Sequence, residues 1–303
     1  MRILLFFSLP VIVIITLIAE LYLKKLGLGD PVRYDSNIFY GYSPKENQKK
    51  SRLKKASVSI NDVGLRSIYN WKNNSKKKIV FLGDSVTYGG SFLDDRQIFS
   101  HIVCEGLKEY ICGNGGVNSY GIYNIVMRSK FDLRIQDSDI FIYIFPPDDF
   151  LRNFRNENSA HFYLNKKKYF FPAIMEAINY ISTKYDINKY LSKFNDTKVK
   201  KNNFTEKEFI GYSINILKDE INNKLINNKK VLVFLSNRKN DKLLQNDINN
   251  YIKTELEKNI NISSLENILN RDEYFYDESV HLSENGHRIV ADHILKKIKN
   301  ILN

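Results

Sequence analysis

Two short stretches of this chain hold residue types that together perform acyl transfer. The first is Gly83-Asp84-Ser85-Val86-Thr87-Tyr88-Gly89. It follows a run of β-branched and aromatic residues and opens a helix-compatible stretch, so the Ser85 hydroxyl is expected to stand exposed in a turn. Free backbone amides at such a helix start favour a developing oxyanion. The second stretch is Asp277-Glu278-Ser279-Val280-His281-Leu282-Ser283-Glu284-Asn285-Gly286-His287. A serine nucleophile needs a base to take its proton, and the base needs a carboxylate to fix its tautomer. His281 has acids three and four residues upstream, Glu278 and Asp277. Either carboxylate can orient an imidazole, so both stay candidates. His101, His161, His287 and His293 lack such a setting, and His287 and His293 read as helix packing or surface residues. Taken alone, Ser85 would be a plain N-cap and His281 a structural histidine; it is their pairing that points to catalysis. The spacing of His and acidic residues defines no metal site, and two cysteines cannot supply a zinc set. No cofactor is expected, because serine acyl transfer needs none.

The elements that must position these residues follow from hydrophobic period. Residues 77–82, 139–145 and 231–235 are compact apolar runs and predict buried strands; 110–117 predicts a short further strand. Helical patterns cover 95–109, 122–133, 206–227 and 242–258, and a last helix runs from the N-cap Ser283 to about 301. Strands alternating with helices predict an α/β domain, a parallel sheet with helices on both faces and its site at the carboxyl ends of the strands. Residues 150–203 are polar and aromatic, with an amphipathic patch over 173–180, and read as an insertion or lid.

The chain has 303 residues, with 46 Lys and Arg against 34 Asp and Glu, and a formal charge of +12. That length supports one large core, and the composition is neither disordered nor fibrous. Residues 3–19 form a run of 17 without a charge, preceded by Arg2 and followed, after Glu20, by Lys24 and Lys25. The run reads as an uncleaved membrane anchor over 1–26, with no small-x-small site to mark a cleaved signal. A basic juxtamembrane connector is expected over 27–75, its lysine clusters reading first as a solvated segment and, more sharply, as a stretch drawn to anionic headgroups; a catalytic domain is expected over 76–303. The expected location is membrane-anchored, with the bulk of the chain outside the cytoplasm. No nucleic-acid partner is expected, since no recognition helix or aromatic RNA-binding signature accompanies the charge. Cys104 and Cys112 read as free thiols, one bridge being geometrically allowed.

The Gly83-Asp84-Ser85 block and the His281 block with its upstream acids resemble the first and last blocks of the SGNH/GDSL hydrolase superfamily. Asn61-Asp62-Val63-Gly64-Leu65-Arg66 looks like the pre-domain signature of its membrane-anchored bacterial members, with Tyr40-Gly41-Tyr42 upstream. The resemblance spans roughly 38–300. It implies a three-layer α/β/α sandwich with a flavodoxin-like parallel sheet. It also implies a Ser-His-Asp mechanism on carboxylic esters, commonly acyl groups on carbohydrates or lipids. Asn114-Gly115-Gly116-Val117-Asn118-Ser119-Tyr120-Gly121 aligns with the second block, placing Ser119 where the family has an oxyanion-hole glycine. Asp148 stands where the third block offers an asparagine. Asp84, Ser119, Gly121 and Asp148 are thus the implied oxyanion or substrate-binding positions. An asparagine amide donates to an oxyanion and an ionised carboxylate repels it, so Asp148 is a departure that matters.

Two readings follow. The first is a membrane-anchored serine esterase or O-acyltransferase acting on acylated cell-envelope carbohydrate or lipid. The alternative, motivated by Asp148, is an impaired module that binds glycan or a partner enzyme through the aromatics Phe162, Tyr163, Tyr169, Phe170 and Phe171.

Overall fold

The computed structural model describes residues 2–156, 170–184, 205–237, 239, 246–276 and 280–302, with the backbone alone at 2–9, 54, 183–184 and 246–249. Helix α1 (Arg2–Lys25) takes up the apolar run and its flanks. Among the described residues, no helix is long and apolar enough to cross a membrane. Four short strands follow: β1 (Tyr34–Asn37) pairs antiparallel with β2 (Gly41–Pro44), and β3 (Gln48–Ser51) with β4 (Ser57–Ile60).

The main sheet comprises β5 (Lys77–Gly83), β6 (Tyr110–Asn114), β7 (Ile140–Phe145), β8 (Lys230–Leu235) and β9 (Ile262–Ser264). Its order is β6-β5-β7-β8-β9 and every pairing is parallel. Counted along this sheet the order is 2-1-3-4-5, the flavodoxin-like winding. The first strand therefore has the second on one side and the third on the other. The chain leaves it at the reversal point, where open α/β sheets form their sites.

Alternation along the strands sends side chains to two cores. Val80, Leu82, Phe141, Tyr143 and Phe145 pack with α4 (Ile122–Phe131), α6 (Glu206–Ile226) and α7 (Asn246–Asn259). Ile79, Phe81, Ile140, Ile142 and Ile144 pack with α3 (Phe99–Glu105) and α8 (Glu284–Leu302). With both faces covered, β7 reads as an unbroken apolar run, Ile-Phe-Ile-Tyr-Ile-Phe, and all six residues are buried. The fold is the expected three-layer α/β/α sandwich.

Four readings need correction. The stretch 27–75 is not a connector. Val32, Tyr34, Tyr42, Val58, Ile60, Leu65 and Trp71 are buried in the same core as Val80 and Leu82. The stretch hides its apolar residues among polar ones in four-residue strands, too short to show a period. Cys104 and Cys112 are not free thiols but bridged, with Cα atoms 5.6 Å apart. The turn between α3 and β6 folds the two cysteines together, with Leu107 N–H donating to Cys104 O and Tyr110 N–H to Leu107 O. The helix expected over 95–109 is only Phe99–Glu105, and the three-residue strand β9 lies where no strand is expected. Within the insertion, α5 (Pro172–Lys184) packs against α1. Its first-turn amides at Ala173 and Ile174 donate to Glu20, at 3.1 and 3.0 Å, so the acid that ends the apolar run caps a helix far away in sequence.

Candidate active site

Strand β5 ends at Gly83, and the chain turns into the one-turn helix α2 (Ser85–Tyr88). Gly83 permits this: a Cβ there would sit 2.0 Å from Ile144 O and 2.1 Å from Thr87 Oγ1. Asp84 is the N-cap, its Oδ1 accepting from Val86 N–H at 2.8 Å. Thr87 Oγ1 donates to Ile144 O at 2.7 Å, tying the turn to the end of β7. Ser85 is the least buried residue of the turn, as expected from the sequence.

His281 arrives from the other end of the domain. Residues 275 and 282 form an antiparallel bridge, Tyr276 N–H donates to His281 O at 2.7 Å, and Ser283 N–H donates to Tyr274 O at 2.9 Å. Ser283 Oγ accepts from Gly286 N–H at 3.2 Å, the expected N-cap, and donates to Glu273 O at 2.6 Å. So held, His281 Nε2 lies 3.1 Å from Ser85 Oγ, across 196 residues of sequence. That is hydrogen-bond reach for nucleophile and base. Asp277 and Glu278, the two candidate orienting acids, lie outside the described residues.

The second block packs directly on the turn. Asn114 Nδ2 donates to Thr87 O at 2.6 Å and its Oδ1 accepts from Gly116 N–H at 2.9 Å. A Cβ on Gly116 would lie 2.2 Å from Tyr88 N. Val117 N–H bonds to Gly83 O at 3.1 Å, setting the loop that carries Ser119 beside the Ser85 turn. Ser119 is exposed and has φ of 69°, a left-handed conformation that favours glycine, the residue type the resemblance implies there. Gly121 caps α4 and is buried under Arg152, whose Cβ would lie 2.7 Å from an added Cβ. The glycine makes close packing possible there. Asp148 is half-buried at the start of the turn after β7.

Two charged residues beside Ser85 escaped the sequence reading. Arg152 Nη1 donates to Asp84 Oδ2 at 3.0 Å and to Tyr120 O at 2.9 Å, and lies 2.7 Å from Asp149 Oδ1. Asp84 Oδ2 is itself 3.4 Å from Ser85 Oγ. Arg152 thus engages the carboxylate that would otherwise compete with His281 for the serine proton. Burial foremost, and then the charge of Asp84, push the Asp149 carboxyl well above the usual range, with Arg152 opposing. No period or motif links positions 84, 149 and 152; only the ends of β5 and β7 bring them together.

The Asn61–Arg66 signature has a structural meaning. Asn61 Oδ1 accepts from Val63 and Leu65 N–H at 3.1 and 3.0 Å, and Gly64 turns the chain at φ 74°. Arg66 then runs buried beneath the Ser85 turn. It donates to Asp95 Oδ1 (2.9 Å) and to the carbonyls of Tyr88 (3.0 Å), Gly90 (2.6 Å) and Leu93 (2.6 Å). Among the described residues there is no group of three His, Cys, Asp or Glu that could hold a metal ion.

No protein-family profile matches the chain, and no curated protein matches it. Solved structures do. A lipolytic protein of the G-D-S-L family from Desulfitobacterium hafniense is 12% identical, with 73% of this chain and 99% of that one covered and a TM-score of 0.44. A lipase/acylhydrolase from Enterococcus faecalis is 16% identical over 74% of this chain and 96% of its own, with a TM-score of 0.44. A catalytic mutant of an acetylxylan esterase from Geobacillus stearothermophilus is 13% identical over 75% and 96%, with a TM-score of 0.44. The likeness is to GDSL/SGNH hydrolases. Roles must come from the site itself.

Proposed function

We propose that the protein is a serine ester hydrolase or O-acyltransferase that uses Ser85 as nucleophile and His281 as general base. The single observation that carries this is the 3.1 Å approach of His281 Nε2 to Ser85 Oγ. In this mechanism Nε2 takes the hydroxyl proton as Oγ attacks the acyl carbonyl. The oxyanion forms beside the backbone amides of Ser85 and Ser119. His281 returns the proton to the departing alkoxide, leaving the acyl group on Ser85. It then deprotonates the second acceptor, and attack on the acyl-enzyme frees Ser85. Water as acceptor makes the protein a deacylase, and a sugar hydroxyl makes it a transferase. Asp277 or Glu278 orients His281.

The substrate class is acylated carbohydrate or lipid of the cell envelope. Supporting it is a groove lined by Phe92 and Tyr276, which stack at 3.7 Å, with Asp94, Gln97 and Glu284 alongside; Tyr276 N–H bonds to His281 O. Of the aromatics assigned to sugar stacking, Phe162, Tyr163 and Tyr169 lie outside the described residues. Helix α1 attaches the chain to a membrane, with the catalytic domain on the extracytoplasmic side. The Cys104–Cys112 bridge suits an oxidising compartment.

The test is a fluorophosphonate adduct on the full chain in detergent, read by intact mass. One adduct is expected on the parent and none on Ser85→Ala. His281→Ala should label far more slowly. An unlabelled, folded parent would overturn the assignment of Ser85 and move glycan binding to the front, with Asp148→Asn as the next variant.

A further inference from the structure

Helix α5 turns its larger apolar side chains outward. Its inward side carries the buried Glu176 beside Ala173. Glu176 is buried against Arg52, and its Oε2 also accepts from Gly29 N–H at 2.6 Å. Ala173, on the same face, is packed against Gly29. At 100° per residue, Ile174, Met175, Ile178 and Ile181 point away from Glu176, with Phe171 ahead of the helix and the exposed Tyr180 one turn after Glu176. Ile178 and Ile181 are 53% and 49% exposed, and Phe170, just ahead of the helix, is 91% exposed. Soluble proteins rarely leave such a continuous apolar stripe uncovered.

The stripe continues onto α1. That helix meets α5 along Thr16, Ala19, Glu20 and Leu23, its less exposed side. Around the rest of its circumference it is apolar and open, with five consecutive exposed residues from Val11 to Ile15. A protein partner covers one face of a helix, whereas lipid covers all of them. The exposed Lys25, Lys49 and Lys55 belong to the same N-terminal part of the chain, which suits an anionic headgroup layer.

We propose that α1 and the outward stripe of α5 form one lipid-docking surface, with α5 seated at the boundary between headgroups and acyl chains. The inference rests on the membrane reading of α1 and extends it. An interfacial helix of this kind lies in the plane of the bilayer with its apolar side down. Through Glu176–Arg52 and Glu20 it would lock the catalytic domain at one height and tilt above the lipid, which a single tether cannot do.

The experiment places one tryptophan at a time in the full chain, bound to vesicles of phosphatidylcholine with phosphatidylglycerol. Buried Trp71 serves as a constant background. Ile178→Trp, Ile14→Trp and Leu133→Trp are compared with and without brominated lipid, which quenches on contact. Loss of most of the added emission at 178 and 14, but not at the 82% exposed Leu133 position, is the expected result. Quenching at 14 but not at 178 overturns the α5 surface and leaves the α1 reading standing. Quenching at neither position overturns both. Blue-shifted, unquenched added emission from Ile178→Trp, in a chain that sediments as a dimer, overturns the lipid assignment, because a second copy then covers the stripe.

Discussion

At the residue scale, the proposed reaction depends on which groups hold the Ser85 proton and the His281 ring. Asp84 Oδ2 and His281 Nε2 both face Ser85 Oγ, at 3.4 and 3.1 Å. Arg152 Nη1 also bonds to that Asp84 oxygen, at 3.0 Å, and the shorter approach to the serine is that of His281. The acid behind His281 is decided by variants: Asp277→Asn and Glu278→Gln are expected to split. One should lower kcat by roughly 100- to 10,000-fold through loss of the correct tautomer, and the other should stay within a few-fold. Equal, small effects in steady-state ester hydrolysis would mean that neither carboxylate orients the ring. Ser119 is a second point. Its φ of 69° strains an L-residue by about 1–2 kcal/mol, a strain that glycine does not feel. Ser119→Gly should therefore raise the melting temperature by a few degrees with the oxyanion amide retained, and an unchanged or lower melt would show that no strain is stored there.

His287 ties stability to pH. Its Nδ1 accepts from Phe99 N–H at 3.2 Å, so the folded state needs the ring neutral. Burial first, and then the Arg66 charge, push it down to about 3. In the unfolded chain it titrates near 6.5, so below that pH the unfolded state binds a proton that the folded state refuses. The stabilisation is complete above about pH 6.5 and falls toward pH 3, by up to about 1.4 kcal/mol per pH unit. In denaturant melts from pH 7 to 4, His287→Gln should show a shallower acid slope than the parent. Parallel slopes would mean that His287 contributes nothing to acid sensitivity.

At the element scale, the site is built from the ends of β5 and β7 and from the loop before α8, and each is pinned from behind. Arg66 holds the stretch after α2 through three carbonyls and Asp95. Arg128 reaches from α4 to Gly115 O and Gly64 O at 2.8 and 3.2 Å, joining the second block to the Asn61–Arg66 turn. The Cys104–Cys112 bridge does the same for α3 and β6. Closing so short a loop stabilises by about 2–3 kcal/mol in the chain-entropy account. Cys104→Ser is expected to lose about that much by denaturant unfolding, with ester hydrolysis of the folded fraction unchanged. A loss well under 1 kcal/mol would mean that packing alone holds α3.

At the scale of the whole molecule, the stretch before β5 and the main sheet share one core. Val58 and Leu65 share a core with Leu82, and Glu20 and Arg52 hold α5. A truncation of residues 1–26 would remove the Glu20 cap on α5. The proposed lipid surface lies on this joint N-terminal body and is separate from the Ser85 turn, so attachment and chemistry should separate by mutation.

The sequence by itself determined the strands with unbroken apolar runs, the long helices, and the Ser85 and His281 blocks. These are local patterns: periodicity over six to twenty residues, a glycine where a turn closes, a cap before a helix. It could not reveal β1–β4, because strands of four residues such as Gln-Lys-Lys-Ser carry no period to read. Nor could it reveal the roles of Arg152, Asp149, Arg66 and Glu20, whose partners are brought close by the packing of the chain, not by the spacing of its residues. The disulfide is local, but it closes only because the turn between α3 and β6 sets the two cysteines face to face.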